Sequence, residues 1–253
     1  MKFHRALTYA IAVIPTSLAL SACADHETVS DQKSFPLGGN RLTIVVPSSN
    51  LEVVPGRGPG VQVRRWLGGT PAKPGNSSWS LDGDTLRLRI NCSGLVLKCD
   101  SRFRVAVPPN VSLLVNSGDG RSTVSGFTRP VVIKSTNGRV NVRNVSGPLR
   151  IRTRTGRVTV SGVRSPSVHA TSGDGDVTIR FATAPRLVDI KSGTGDLKAE
   201  VPVSGHTYRV SVSSGTGNAR SDVPDNTGST NTVKLSSRNG NATVLPTSGN
   251  GPN

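Results

Sequence analysis

Aromatic side chains make up only 4% of this chain, and histidine occurs four times in 253 residues. The first shortage argues against nucleic acid as a partner, because base stacking needs exposed rings. The second leaves little for metal or acid–base chemistry. His4 falls in the N-terminal leader, His26 in the polar segment after it, His169 on an outward-facing column and His206 in a glycine-flanked turn. No Ser/His/Asp set is implied by position, so neither catalysis nor a metal or cofactor is expected. Cysteine is equally rare. Cys92 and Cys99 stand close together around Ser-Gly-Leu-Val-Leu-Lys, without the CxxC spacing of a zinc site. In an exported protein that pair reads as a disulfide, worth roughly 2–3 kcal/mol for so short a loop. Two free thiols, or half of a metal site, are the alternatives. Beyond the leader there is no second long apolar run and no sustained 3.6-residue period, so almost no helix is expected.

Acidic residues are also scarce, at 15 against 31 Lys and Arg, for a formal net charge of +16. From Gly120 to Gly173 there is no Asp or Glu, while Arg121, Arg129, Lys134, Arg139, Arg143, Arg150, Arg152, Arg154, Arg157 and Arg164 all fall inside. Stacked like charges on neighbouring strands repel. An anionic partner would relieve that repulsion, and a solvated surface that aids solubility explains the same residues equally well. The candidate anion-binding residues are Arg121, Arg139, Arg150, Arg152 and Arg157. Wall polymers, anionic polysaccharide or lipid headgroups fit an exported chain better than nucleic acid does.

One short pattern is abundant. A small hydroxyl residue, two variable residues and a glycine recur at Ser117–Gly120, Ser135–Gly138, Thr153–Gly156, Ser172–Gly175, Ser192–Gly195, Ser214–Gly217 and Ser237–Gly240. The glycines are spaced 18, 18, 19, 20, 22 and 23 residues apart. Before each glycine, apolar residues alternate at two fixed offsets, as in Val131/Ile133, Leu149/Ile151 and Val210/Val212, and Val140/Val142 or Val177/Ile179 do the same after it. Period two predicts strands with one buried face. A coil of about twenty residues cannot bury such columns alone, so the pattern predicts stacked two-strand coils, an all-β single-domain β-solenoid. The glycine is placed at the corner, where a positive φ suits it.

Residues 1–22 read as a bacterial lipoprotein signal: Lys2 and Arg5, an apolar core from Ala6 to Leu20, and the box Leu20-Ser-Ala-Cys23. Cys23 is then the lipidated N-terminus, anchoring the protein to the bilayer on the extracytoplasmic face of the cell membrane. Residues 23–39 read as a polar tether, 40–110 as an irregular N-terminal β cap, 111–245 as the seven-coil solenoid and 246–253 as a disordered tail. Within the cap, Asp82-Gly83 marks a hairpin turn, and Trp66 and Trp79 read as core plugs rather than a sugar platform.

The coils resemble the bacterial putative-adhesin family of β-strand-repeat domains of unknown function, most closely at Ser172-Gly-Asp-Gly-Asp-Val-Thr-Ile179 and Ser192-Gly-Thr-Gly-Asp-Leu-Lys-Ala199. The resemblance implies an extracytoplasmic β-solenoid, with adhesion implied only by the name and no catalytic residues. The family favours Asp or Asn after the glycine, as at Asp176, Asp196, Asn218 and Asn241, whereas the first three coils here carry Arg121, Arg139 and Arg157. The reading is a lipid-anchored, non-catalytic envelope interaction protein with an Arg-rich face. The alternatives are a carbohydrate-active enzyme using Asp174, Asp176 and Asp196, or a ligand-free spacer.

Overall fold

Alternating apolar residues need a partner face, and in the computed structural model they find it in two sheets that share one core. The structure describes residues 28–93 and 98–247. The lipoprotein signal with Cys23, and the tail from residue 248, lie outside the described residues. The N-terminal strands are β1 (Val29–Phe35), β2 (Arg41–Ser48), β3 (Asn50–Pro55), β4 (Val61–Gly69), β5 (Ser77–Asp82), β6 (Thr85–Ile90) and β7 (Cys99–Val107). Each repeat then adds one strand before its glycine and one after: β8 (Ser112–Asp119) and β9 (Arg121–Ser125), β10 (Val131–Ser135) and β11 (Arg139–Arg143), β12 (Leu149–Thr155) and β13 (Val158–Val163), β14 (Ser167–Asp174) and β15 (Val177–Phe181). The last three are β16 (Leu187–Thr194) and β17 (Leu197–Val201), β18 (Arg209–Thr216) and β19 (Ala219–Ser221), β20 (Thr232–Asn239) and β21 (Ala242–Pro246). Among the described residues the helical content is a single 3-10 turn, Thr70–Ala72.

The strands before the glycines form a ten-stranded sheet and those after them an eleven-stranded one, with parallel pairing throughout the repeats. Register puts like on like: Ile133 lies between Val115 and Ile151, and Val142 between Val124 and Val160, all fully buried or nearly so. Each such side chain contributes roughly 1.5–3 kcal/mol of burial, so the columns dominate the fold's stability.

The corners explain the rest of the pattern. The hydroxyl residue that opens the repeat is buried in six of the seven copies. Several of them serve corner backbone: Thr153 donates to the Thr155 carbonyl at 3.0 Å, Ser192 to Thr194 at 2.9 Å and Ser237 to Gly195 at 2.9 Å, whereas the Ser117 and Ser172 hydroxyls have no partner among the described residues. Gly156 has φ 122°, and a Cβ there would stand 2.4 Å from the Gly138 carbonyl oxygen. Gly138 departs from the expectation, since its φ is not in the left-handed region; it needs glycine for space, with a Cβ meeting the Gly120 oxygen at 2.2 Å.

Three further features correct the sequence reading. Val29–Phe35, inside the segment read as a tether, is a strand pairing antiparallel with β4 along its whole length. β2 and β3 make another coil of the repeat type, stacked in parallel on β8 and β9, with Ser49 where a glycine would stand. Finally, the sixth and seventh copies do not stack in chain order: β20 lies between β16 and β18, and β21 between β17 and β19. The physical reason is apolar content. Val233, Leu235, Ala242 and Val244 are fully buried, whereas Val210 and Val212 are half-buried and β19 is exposed throughout. The most polar coil takes the edge. The longer glycine spacings of 22 and 23 residues supply the chain that crosses over, and that crossing covers the start of the edge strand, where Tyr208 bridges to Asp225. Tyr208 is buried there with its hydroxyl donating to Pro202 at 2.6 Å, and Asp225 accepts the edge amide of Val210 at 2.8 Å. Burial pushes the Tyr208 phenol up to about 12.

Cys92 and Cys99 form the expected disulfide. The Asp82-Gly83 turn joins β5 and β6 as an antiparallel hairpin, with Gly83 at φ 57°. The tryptophans divide. Trp79 is partly buried and packs against the core as expected, with Arg65 lying 4.1 Å over its ring, whereas Trp66 is half-exposed outside that core, with Arg64 and Arg102 at 5.0 and 5.3 Å from its ring centre.

Candidate anionic-ligand surface

A corner glycine separates the two sheets, so arginines on either side of one belong to different faces. Arg121 and Arg139 open β9 and β11, are directly paired in register, and point outward from the eleven-stranded sheet. Arg157 follows in the same row, its carbonyl accepting the Val140 amide at 3.0 Å and its guanidinium bonding Asp176 at 3.1 Å. Arg150 and Arg152 lie on β12 and point outward from the ten-stranded sheet, next to His169 and to Lys134 and Thr171 respectively. The five arginines therefore form two groups with the core between them. The corner glycine at 156, standing between Arg152 and Arg157, was the signal for that division.

Two of the candidate acids, Asp176 and Asp196, serve the backbone of a neighbouring coil. Asp176 Oδ1 accepts the Asp196 amide at 3.1 Å, Asp196 Oδ1 the Asn241 amide at 2.7 Å, and Asn241 Oδ1 the Asn218 amide at 3.0 Å. Asn50 starts the same row by accepting the Arg121 amide at 3.0 Å. This ladder explains why Asp or Asn follows the glycine: one side-chain oxygen satisfies the next coil's backbone. Asp174 stands on a different row, paired with Thr155 and Thr194.

The charge balance changes along the eleven-stranded face. At β15 and β17, Glu200 sits among cations: Arg180 bonds it at 2.5 Å and Lys198 at 3.0 Å. The hydrogen bond from Arg180 leads in holding its carboxyl below the usual carboxylate range. At the N-terminal end, Glu52 on β3 takes Arg102 at 2.9 Å and Arg104 at 3.0 Å from β7. Between these ends, Arg121, Arg139 and Arg143 make no ion pair among the described residues. An open groove of about 470 Å³ lies there, lined by Asn50, Glu52, Arg102, Arg121, Thr123, Asn141 and Arg143. Sequence reasoning missed Glu52, Arg102 and Arg104, because β3 and β7 are paired across some fifty residues with no periodic marker. A second concavity of about 710 Å³ on the ten-stranded face is lined by Lys191, Arg238, several serines and Gly173, Gly193 and Gly215.

Comparisons place the chain among known proteins. The family model Toastrack DUF4097 matches residues 99–250. The chain is similar to the crystal structure of a putative adhesin from Bacteroides fragilis NCTC 9343 at 12% identity and TM-score 0.42, over 87% of this chain and 97% of that one. It is also similar to a putative adhesin from Parabacteroides merdae ATCC 43184 at 10% identity and TM-score 0.44, over 88% and 98%. A putative lipid binding protein from Parabacteroides distasonis ATCC 8503 is similar at 9% identity and TM-score 0.35, over 88% and 95%. No curated protein matches. The matched family segment runs from the start of β7 through every repeat, more than half of the sequence, and the chain therefore belongs to the Toastrack DUF4097 family.

Proposed function

We propose that this protein is a non-catalytic interaction protein of the bacterial cell envelope, anchored to the membrane through a lipid on Cys23 and holding an anionic wall polymer or polysaccharide on its basic surface. In this reading the two-strand coils form a β-solenoid whose role is to present charge at fixed spacing. The observation that carries it is the in-register pair Arg121 and Arg139 without a counter-charge. Adjacent parallel strands lie ~4.8 Å apart, and like charges directly opposite are destabilising. A binding role gives a reason for keeping a repulsion that stability alone would remove.

The reading is tested by replacing Arg121, Arg139 and Arg157 with Gln and sedimenting the full chain with purified cell walls over a salt series. The buried columns are untouched, and the exposed Arg157–Asp176 pair is worth at most about 1 kcal/mol, so melting should change little. Wall binding should weaken and become less salt-dependent, since exposed charges are screened within about 10 Å at 0.1 M salt. Wild-type protein that shows no salt-sensitive wall binding contradicts the proposal. The anchor is tested separately. Cys23→Ser should release the protein from the membrane fraction, and retention with unchanged lipid labelling would overturn it.

A further inference from the structure

Glu52 shows what the arginines of the eleven-stranded face recognise. Two guanidinium groups converge on its carboxylate, and one of them, Arg102, is held against the Trp66 ring. This end of the groove is a carboxylate site already filled by the protein's own side chain. From Glu52 a straight row of outward residues crosses the strands in register to Thr123 on β9, Asn141 on β11 and Thr159 on β13. That row is uncharged and offers hydroxyl and amide groups. On its corner side stand Arg121 and Arg139, and two residues further along β11, on its other side, stands Arg143. A neutral hydrogen-bonding floor with arginines on both sides continues the Glu52 site, without a carboxylate of the protein to fill it.

We infer that the groove over β3, β9 and β11 binds a linear carboxylate-bearing glycan lying across the strands, with ring hydroxyls on Thr123 and Asn141 and carboxylates on Arg121 and Arg143. The inference rests on the anionic-ligand reading above and names its site and ligand class. Planar arginine forks match carboxylates bidentately, and the floor supplies the few fixed polar groups that orient a ligand. Three strands at ~4.8 Å spacing give a floor on the order of 10 Å, enough for successive sugar rings to meet successive strands. A bilayer surface fits less well. Among the described residues the exposed large apolar side chains are Val29 and Val203, neither of which lines this groove, so nothing here inserts into lipid.

The test titrates the full chain with oligogalacturonate, its methyl ester, inorganic polyphosphate and vesicles containing phosphatidylglycerol, following heat and melting temperature. Oligogalacturonate should bind and its uncharged ester should not. Arg121→Gln and Arg143→Gln should each weaken binding roughly tenfold without lowering the melting temperature. Glu52→Gln, which frees Arg102 and Arg104, should tighten it several-fold; a merely structural Glu52 would give no gain, and that result counts against the inference. If binding is instead lost with Arg150→Gln and Arg152→Gln, this groove is the wrong site while the anionic-ligand reading stands. Tighter binding of polyphosphate or vesicles through the same arginines overturns the glycan assignment. Absence of binding to every anionic probe overturns this inference, and absence of salt-sensitive binding to cell walls as well brings down the reading beneath it.

Discussion

Gly156→Val is expected to lower the unfolding free energy by more than about 2 kcal/mol, measured by urea denaturation. Two costs combine at this corner. A β-branched residue at φ 122° is strained by roughly 1–3 kcal/mol, and the new Cβ would stand 2.4 Å from the Gly138 oxygen of the coil below. The stack leaves no room to relax, because the amide of Gly156 is bonded to Asp174 of the next coil at 2.9 Å. Gly138→Val is expected to be similarly damaging for the second reason alone. Gly38→Ala is the control, since a Cβ there meets nothing within 4 Å, and it should be neutral within about 0.5 kcal/mol. Corner variants as mild as the control would contradict the stacked corners.

Leu235→Ala should cost about 2–5 kcal/mol, and Val212→Ala less than about 1.5 kcal/mol. The two residues are register partners on β20 and β18, so their difference reports which copy lies inside. Leu235 is fully buried between Ile190 and Val212, whereas Val212 faces its neighbour on one side only. Stacking in chain order would place Val212 inside and Leu235 at the edge, and would reverse the two values. Thermal or urea unfolding of the two variants decides between the arrangements.

The parts of the fold that repeat were legible because their cause is local. Alternation at Val131/Ile133 or Val140/Val142 states which face is buried, and a glycine between two such runs marks the corner whether φ is positive, as at Gly156, or space is short, as at Gly138. What the sequence hid of the stacking order is set by competition between segments. Either the sixth or the seventh copy could have followed the fifth, and the more apolar one took the inner place. β1 was hidden for a different reason: only Phe35 of Val29–Phe35 is buried, so the strand is held by its backbone pairing with β4 and shows no apolar period. In the candidate site, Arg121 and Arg139 were legible from their common offset after the glycine. Arg150 and Arg152 share the segment but not the surface. Glu52 comes from a coil whose corner has Ser49 in place of the glycine, Arg102 and Trp66 come from strands outside the repeats, and only the register brings them to the groove.

The most direct test of the account is where an acidic glycan touches the protein. Backbone amide shifts of the 26.4 kDa chain, followed by NMR during titration with oligogalacturonate, report this residue by residue. The account predicts shifts confined to the outer face of β3, β9 and β11, centred on Arg121, Asn141 and Arg143. Shifts centred instead on the ten-stranded face around Lys191 and Arg238, or none at saturating glycan and low salt, would contradict it.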